Sequence, residues 1–155
     1  MNTGYFDVRH GCAGDMIAGA LVACNDEQSL RAELAKVAFP HPFTLIVERV
    51  FRHSPSGHPF EATLFRVHPA EKEHATRFTD ILRVFETSGL EPAVKERIFR
   101  ILHILADAEA TVHGETKDRI HFHEVGQTDA LVEIASAAIL LHRMGISSLY
   151  ASTVG

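Results

Sequence analysis

No stretch of this sequence stays apolar for the roughly 20 residues that a membrane helix needs, and no basic segment followed by a hydrophobic one opens it. Neither a membrane span nor a signal peptide is expected, and the cytoplasm is the expected compartment. Cysteine is scarce. Cys12 and Cys24 form no CxxC pair, which excludes a zinc knuckle and a disulfide framework and points to a reducing compartment. With no partnered base assignable to it, Cys12 reads as a small packing residue. Positive charge is in the minority, 15 Lys and Arg against 20 Asp and Glu for a formal net charge of -5. Without a basic stripe, nucleic-acid binding through phosphate neutralisation is excluded. There is no GK[ST] of a P-loop and no strained-serine elbow for serine-histidine-acid catalysis.

What remains suits one folded domain over residues 1–155. A hydrophobic content of 46% with 23% charged residues provides a sizeable core and argues against disorder. Eleven histidines are many for 155 residues and lean towards metal or proton chemistry. No internal repeat, linker or low-complexity tract is visible.

Local patterns predict an α+β class, with a small mixed or antiparallel sheet packed against several helices. Residues 5–8 read as a buried strand leading into the turn His10-Gly11-Cys12-Ala13-Gly14, after which Asp15 opens an apolar helix. Asp26 caps a second helix whose Leu30, Leu34 and Val37 face a core. Residues 43–52 and 60–67, flanking a Pro/Gly/Ser turn cluster, predict two antiparallel strands. Residues 69–77 suit an exposed, mobile connection before a helix over 79–88 that Gly89 ends. Pro92 begins a long helix with Val94, Ile98, Ile101, Leu102, Leu105, Ala108 and Val112 on one side and Gly114 as a left-handed stop. A last helix runs to Met144 with Thr128 as N-cap, a stripe of Leu131, Ile134, Ala135, Ala138 and Ile139, and Gly145 at its end. Residues 148–153 close the sheet as a final strand.

Coordinating chemistry is densest in the run Ile120-His121-Phe122-His123-Glu124-Val125-Gly126-Gln127-Thr128-Asp129-Ala130. If residues 121–124 are extended, the two-residue period puts His121 and His123 on one face, and two neutral imidazoles side by side suit nickel or zinc. Against this stands a structural reading, in which both rings are held in hydrogen bonds that fix the strand-to-helix turn. Glu124 could be a carboxylate ligand or a general base, whereas Asp129 more simply faces the positive end of its own helix. Glu109 and His113, four apart, share a helix face. They could support a metal, or His113 could merely answer the helix dipole. Asp7, Gly11, Gly14 and Asp15 form a turn that could surround an anion with backbone N–H groups or hold a cation between its acids.

Taken together, Tyr5-Phe6-Asp7, Gly11, Gly14-Asp15-Met16, Val112-His113-Gly114 and above all His121-Phe122-His123-Glu124-Val125-Gly126 with Asp129 resemble the pattern of the LarC family. These are the nickel-insertion proteins that mature the nickel-pincer nucleotide cofactor of lactate racemase. Leu30-Arg31-Ala32-Glu33-Leu34 and Val47-Glu48-Arg49-Val50 match as well, so the resemblance spans most of the chain. It implies a CTP-dependent chelatase of the lyase class that inserts nickel between two sulfur-bearing groups and a ring carbon of pyridinium bisthiocarboxylate mononucleotide. The family's chains are much longer, and this one corresponds to their N-terminal half. Nucleotide handling, with CTP and magnesium or manganese, is associated with the C-terminal half. The expected partners are thus a C-terminal LarC-like domain or chain, the organic cofactor precursor and further copies in a homo-oligomer. The residues at 151–155 read like a cut through a strand and its turn, which makes continuation of the coding region beyond Gly155 the most useful thing to establish.

The sequence departs from the family at His10 and Ala13, where serines are usual, and its histidine-rich stretch is reduced to His68 and His74. Ala130 and Glu133 stand where a serine and an aspartate are usual, which keeps the acid but lengthens its reach. The resulting expectation is a divalent-metal binding domain, with nickel as the metal. His121, His123 and Glu124 are its ligands, and Asp7, Asp15 and His113 are further candidates. Gly11, Gly14 and Asp129 are candidates for contact with the cofactor. Nitrogen and oxygen ligands without a cysteine cluster would hold nickel loosely enough to hand on. Two other classes stay open: a non-catalytic assembly domain that docks a C-terminal chelatase partner, and a nucleotide- or phosphate-binding enzyme using the turn between Asp7 and Asp15.

Overall fold

Six strands and five α-helices follow one another in the computed structural model, which describes residues 2–54, 56–70, 76–122 and 125–154. The order is β1 (Asn2–Phe6), α1 (Gly14–Val22), α2 (Glu27–Leu34), β2 (Phe43–His53), β3 (Pro59–Pro69), β4 (Thr76–Arg77), α3 (Phe78–Glu86) and α4 (Pro92–His113). A single 3-10 turn (Lys117–Arg119), β5 (His121–Phe122), α5 (Thr128–Arg143) and β6 (Ile146–Ala151) complete it. The class is α+β, as expected. The strands form three separate pairs among the described residues, where the sequence suggested one sheet: β1 with β6 parallel, β2 with β3 antiparallel, and β4 with β5 antiparallel.

The core is built around α5. Its periodicity predicts one apolar stripe, but Leu131, Val132, Ala135, Ser136, Ala138 and Leu140 are all fully buried, so the helix is covered nearly all round. The reason is tertiary: α1, α2, α4, β3 and β6 all pack against it. Each large apolar side chain sealed in this way contributes about 1.5–3 kcal/mol. Beside α5, α1 lies close to β3 as well. A Cβ on Gly19 would sit 2.5 Å from the Thr63 carbonyl oxygen, so glycine is what permits this approach.

Several local signals act as read. The Asp26 carboxylate accepts the Ser29 N–H at 2.9 Å and caps α2, whose Leu30 and Leu34, with Val37 beyond, are buried. Pro92 starts α4, and Gly114, at φ 64°, ends it in the left-handed region with its N–H donated to the Ala110 carbonyl. Gly145, at φ 65°, follows α5.

Others are corrected. Gln127, not Thr128, is the extended residue that precedes α5, and Thr128 is its buried first residue. On α4 the stripe that serves the core runs through Val94, Ile98, Leu102 and Ala106, with Ala110 half-buried against the core one turn on. Ala108 is exposed and Val112 is 78% exposed, because each stands two positions beyond a residue of that stripe and so on the opposite side of the helix. Cys12 is exposed and so is not a packing residue. β1 begins at Asn2 and ends before Val8, whose N–H donates to the Ser152 hydroxyl at 2.8 Å. Thr76 and Arg77, read as open connection, pair with Phe122 and His121. Residues 71–75 of that connection lie outside the described residues, and the expectation of mobility with them.

Candidate functional site

Gly114 decides where the histidines meet. By ending α4 in a left-handed turn it lets the chain double back through Glu115, Thr116 and the 3-10 turn, so that β5 begins beside the end of the helix it has just left. As a result His113 and His121 wall one cavity of about 370 Å³, completed by Glu115, Arg119 and Ile120. Both histidines are exposed, whereas Ile120 and Phe122 on either side of His121 are buried. That alternation is the predicted strand period, with the imidazole turned to solvent and its neighbours anchored in the core. Phe122 stacks edge-on against Phe78, with ring centroids 5.9 Å apart, which fixes β5 and hence the root of His121.

His113 and Glu109 share a face of α4 as their spacing predicts, with Nε2 3.6 Å from Oε1. That is an ion-pair distance and not a hydrogen bond. Glu115 and Arg119 are cavity residues that sequence reasoning missed. The signal was available in principle, since any chain that reverses within the few residues between Gly114 and His121 must line the reversal with them. His123 and Glu124, the other two primary candidates, lie outside the described residues. Among the described residues no three His, Cys, Asp or Glu side chains converge as a ready metal cage. Larger recesses exist, but the one of about 540 Å³ between the end of α2 and β2 is walled mainly by Leu34, Val37, Phe39 and Phe43 and holds none of the predicted donors.

A second polar group forms where α1 meets the start of α5. Glu133, half-buried, lies against Gly14: a Cβ there would stand 2.3 Å from Glu133 Oε2. Burial pushes the Glu133 carboxyl up to about 7, and the nearby charges of Asp15 and Asp129 push in the same direction. Asp129 Oδ1 accepts the Ala130 N–H at 2.8 Å and Asp15 Oδ1 accepts the Met16 N–H at 2.8 Å, so each serves the first turn of its own helix. This grouping bears on the turn between Asp7 and Asp15. Gly11 does adopt a positive φ of 92°, yet the position at the start of α1 where a phosphate would dock already faces the Glu133 carboxyl, flanked by two further acids. Asp7 is engaged elsewhere. Its carboxylate accepts the Arg9 Nε–H at 2.8 Å, and the guanidinium holds its pKa below the ordinary carboxylate range.

The structure thus brings together His113 and His121 in one place, sets Glu133 against Gly14 within the electrostatic reach of Asp15 and Asp129 in another, and leaves Asp7 paired with Arg9. No helix among the described residues is long and apolar enough to cross a membrane.

Comparison with known proteins gives a consistent picture. A family model described as "nickel insertion protein" matches residues 4–155. A protein of Citrifermentans bemidjiense is 42% identical over 153 residues, covering 98% of this chain and 38% of its own length. One from Syntrophobacter fumaroxidans is 39% identical over 155 residues, covering 99% of this chain and 38% of its own. A protein of Desulfitobacterium hafniense, 36% identical over 155 residues, is named pyridinium-3,5-bisthiocarboxylic acid mononucleotide nickel insertion protein. It is covered over 37% of its length. The chain therefore spans well under half the length of these relatives. No solved structure matches it significantly.

Proposed function

Because the chain belongs to the nickel insertion protein family, we propose that it binds nickel as cargo and contributes to its insertion into a pyridinium bisthiocarboxylate mononucleotide. The single observation that carries this is the meeting of His113 and His121, read independently from the sequence, in one solvent-open cavity with Glu115. Two imidazoles and a carboxylate are the donor types that suit a borderline divalent ion. Because no three donors are preassembled among the described residues, nickel would gather its ligands by side-chain rotation, with His123 and Glu124 as the sequence-derived additions. A site of this kind captures and releases, which is what handing a metal to an organic ligand requires.

Isothermal titration of nickel into the purified chain tests this. His113→Ala and His121→Ala should each weaken binding at least about tenfold, near 1.4 kcal/mol, with unchanged circular dichroism. Unchanged affinity in both variants would remove the cavity as the site. Since imidazole must be neutral to coordinate, affinity should also fall as acid protonates it. The chelatase step itself, with CTP and magnesium or manganese, belongs in this reading to the longer form of the family. A second reading, an assembly domain that docks the remaining part of the longer family chains, is favoured by one specific feature, the exposed β1–β6 pair.

A further inference from the structure

The β1–β6 ribbon breaks two regularities at once. Parallel strands occur almost only in sheets covered on both faces, and a two-stranded sheet is barely stable alone. Here Tyr5 and Tyr150, paired in register and therefore on the same face, are 66% and 62% exposed. On the other face, Leu149 packs over Gly4 yet remains 44% exposed. Among the described residues no third strand bonds to either edge.

Exposed edges are normally guarded by charge, proline or a bulge within the strand. The β2–β3 hairpin follows that practice: its solvent-facing outer half carries Glu48, Arg49, Arg52 and Glu61. Neither β1, Asn-Thr-Gly-Tyr-Phe, nor β6, Ile-Ser-Ser-Leu-Tyr-Ala, contains a single charged residue or a proline, and the one register shift, between Asn2 and Thr3, lies at the first residue of β1 and leaves Thr3 to Phe6 in regular register. Uncharged, aromatic and without a third strand among the described residues, the ribbon has the character of an interior sheet seen without its neighbours.

We propose that the β1–β6 ribbon is the nucleus of a larger sheet, completed by a strand-bearing segment from the part of the family's polypeptide that lies outside the matched region. That segment adds a strand along a free edge by main-chain hydrogen bonding, and its apolar face covers Tyr5 and Tyr150. The occupant is argued from length. This chain covers 38% of the Citrifermentans bemidjiense relative, so the relatives carry ample further polypeptide to supply strands and the crossovers that parallel strands need. The inference does not depend on where nickel binds.

Hydrogen–deuterium exchange, read by mass spectrometry on this chain and on the intact Citrifermentans bemidjiense relative, tests it. Amides over residues 2–6 and 146–151 should exchange at least about tenfold more slowly in the relative's aligned strands, while the outer half of the β2–β3 hairpin differs by under about twofold. A second measurement avoids reliance on peptide coverage. Tyr150→Lys should leave the melting temperature of this chain within about 2 °C, whereas lysine at the aligned position of the intact relative should lower it by about 4 °C or more. Equal exchange in the two proteins, with equal tolerance of lysine, overturns the proposal. So does a concentration-dependent dimer of this chain, seen by sedimentation velocity, whose ribbon is protected and whose assembly Tyr150→Lys abolishes, because the occupant would then be a second copy.

Discussion

The cavity between His113 and His121 and the carboxylate group of Asp15, Asp129 and Glu133 are built by opposite means. The first is a product of chain reversal at the rim of the fold, with exposed side chains rooted in buried neighbours. The second is a product of close packing between two helices, where a missing Cβ at Gly14 admits a carboxyl that burial then drives towards its neutral form. The difference separates two roles that composition alone would merge. A donor that must meet a hydrated ion benefits from access, while an acid pressed against a helix start shapes the fold and the proton balance around it. The strongest way to break this division is to measure nickel on both groups. His113→Ala combined with His121→Ala should lower affinity about a hundredfold, near 2.7 kcal/mol, while Asp129→Asn lowers it less than about threefold. The reverse order by titration calorimetry would move the metal to the carboxylates.

The proton side of the comparison comes next in size. An acid whose folded-state pKa lies above its unfolded value binds its proton more tightly when folded, so it favours folding where protonated and opposes it where ionised. For Glu133 the window runs from an ordinary 4.5 to about 7. Its contribution to stability should therefore decline as pH rises through that window and remain unfavourable above it. Glu133→Gln should flatten this part of the stability profile and raise stability at pH 8 by on the order of 1–2 kcal/mol, once solvent screening of a half-buried group is allowed for. Urea unfolding at pH 5 and pH 8 checks it, and a profile identical to the parent's would mean that folding does not raise the Glu133 pKa.

How much of this was legible beforehand follows the range of the interactions involved. Asp26 as a cap, Pro92 and Gly114 bracketing α4, and the two strands of the hairpin depend on neighbours a few residues away, and the sequence pattern located them. Val112 misled because an apolar residue need not lie on the buried stripe: it stands two positions beyond half-buried Ala110, on the outer side of α4. The all-round burial of α5 could not be read from one stripe, since it depends on five elements from across the chain. The turn before α1 was the instructive case. Two glycines flanked by acids suggest a cradle for an anion or a cation, and the pattern does not reveal that Glu133, more than a hundred residues on, packs where a Cβ on Gly14 would stand. The histidines were legible as candidates, and their nearness was implied by the resemblance and not by spacing, because it depends on the reversal after Gly114.

A smaller effect sharpens the claim about Gly14. Adding one methyl at a position 2.3 Å from Glu133 Oε2, with the Glu133 Cβ at 3.2 Å, must displace the carboxyl towards solvent. Gly14→Ala should cost about 1 kcal/mol by overpacking, and the Glu133 titration followed by NMR should move back towards the ordinary range. In a Glu133→Ala background the same change should cost less, since the carboxyl is gone and only the Cβ contact at 3.2 Å is left. A coupling energy near zero in that double-mutant cycle would show that the two positions do not interact.

The least disruptive change asks whether the turn's first acid belongs to either group. Asp7 was a metal candidate by its place at a strand end, but its carboxylate already accepts the Arg9 side chain, and the Ser152 hydroxyl lies within 3.5 Å of the same oxygen. To ligate nickel it would have to exchange a guanidinium for a cation at the surface, with little net gain in water. Asp7→Asn should therefore leave nickel affinity within about twofold. A larger loss would place a third ligand at the end of β1, far along the sequence from the histidines, and would join by way of metal what packing keeps apart.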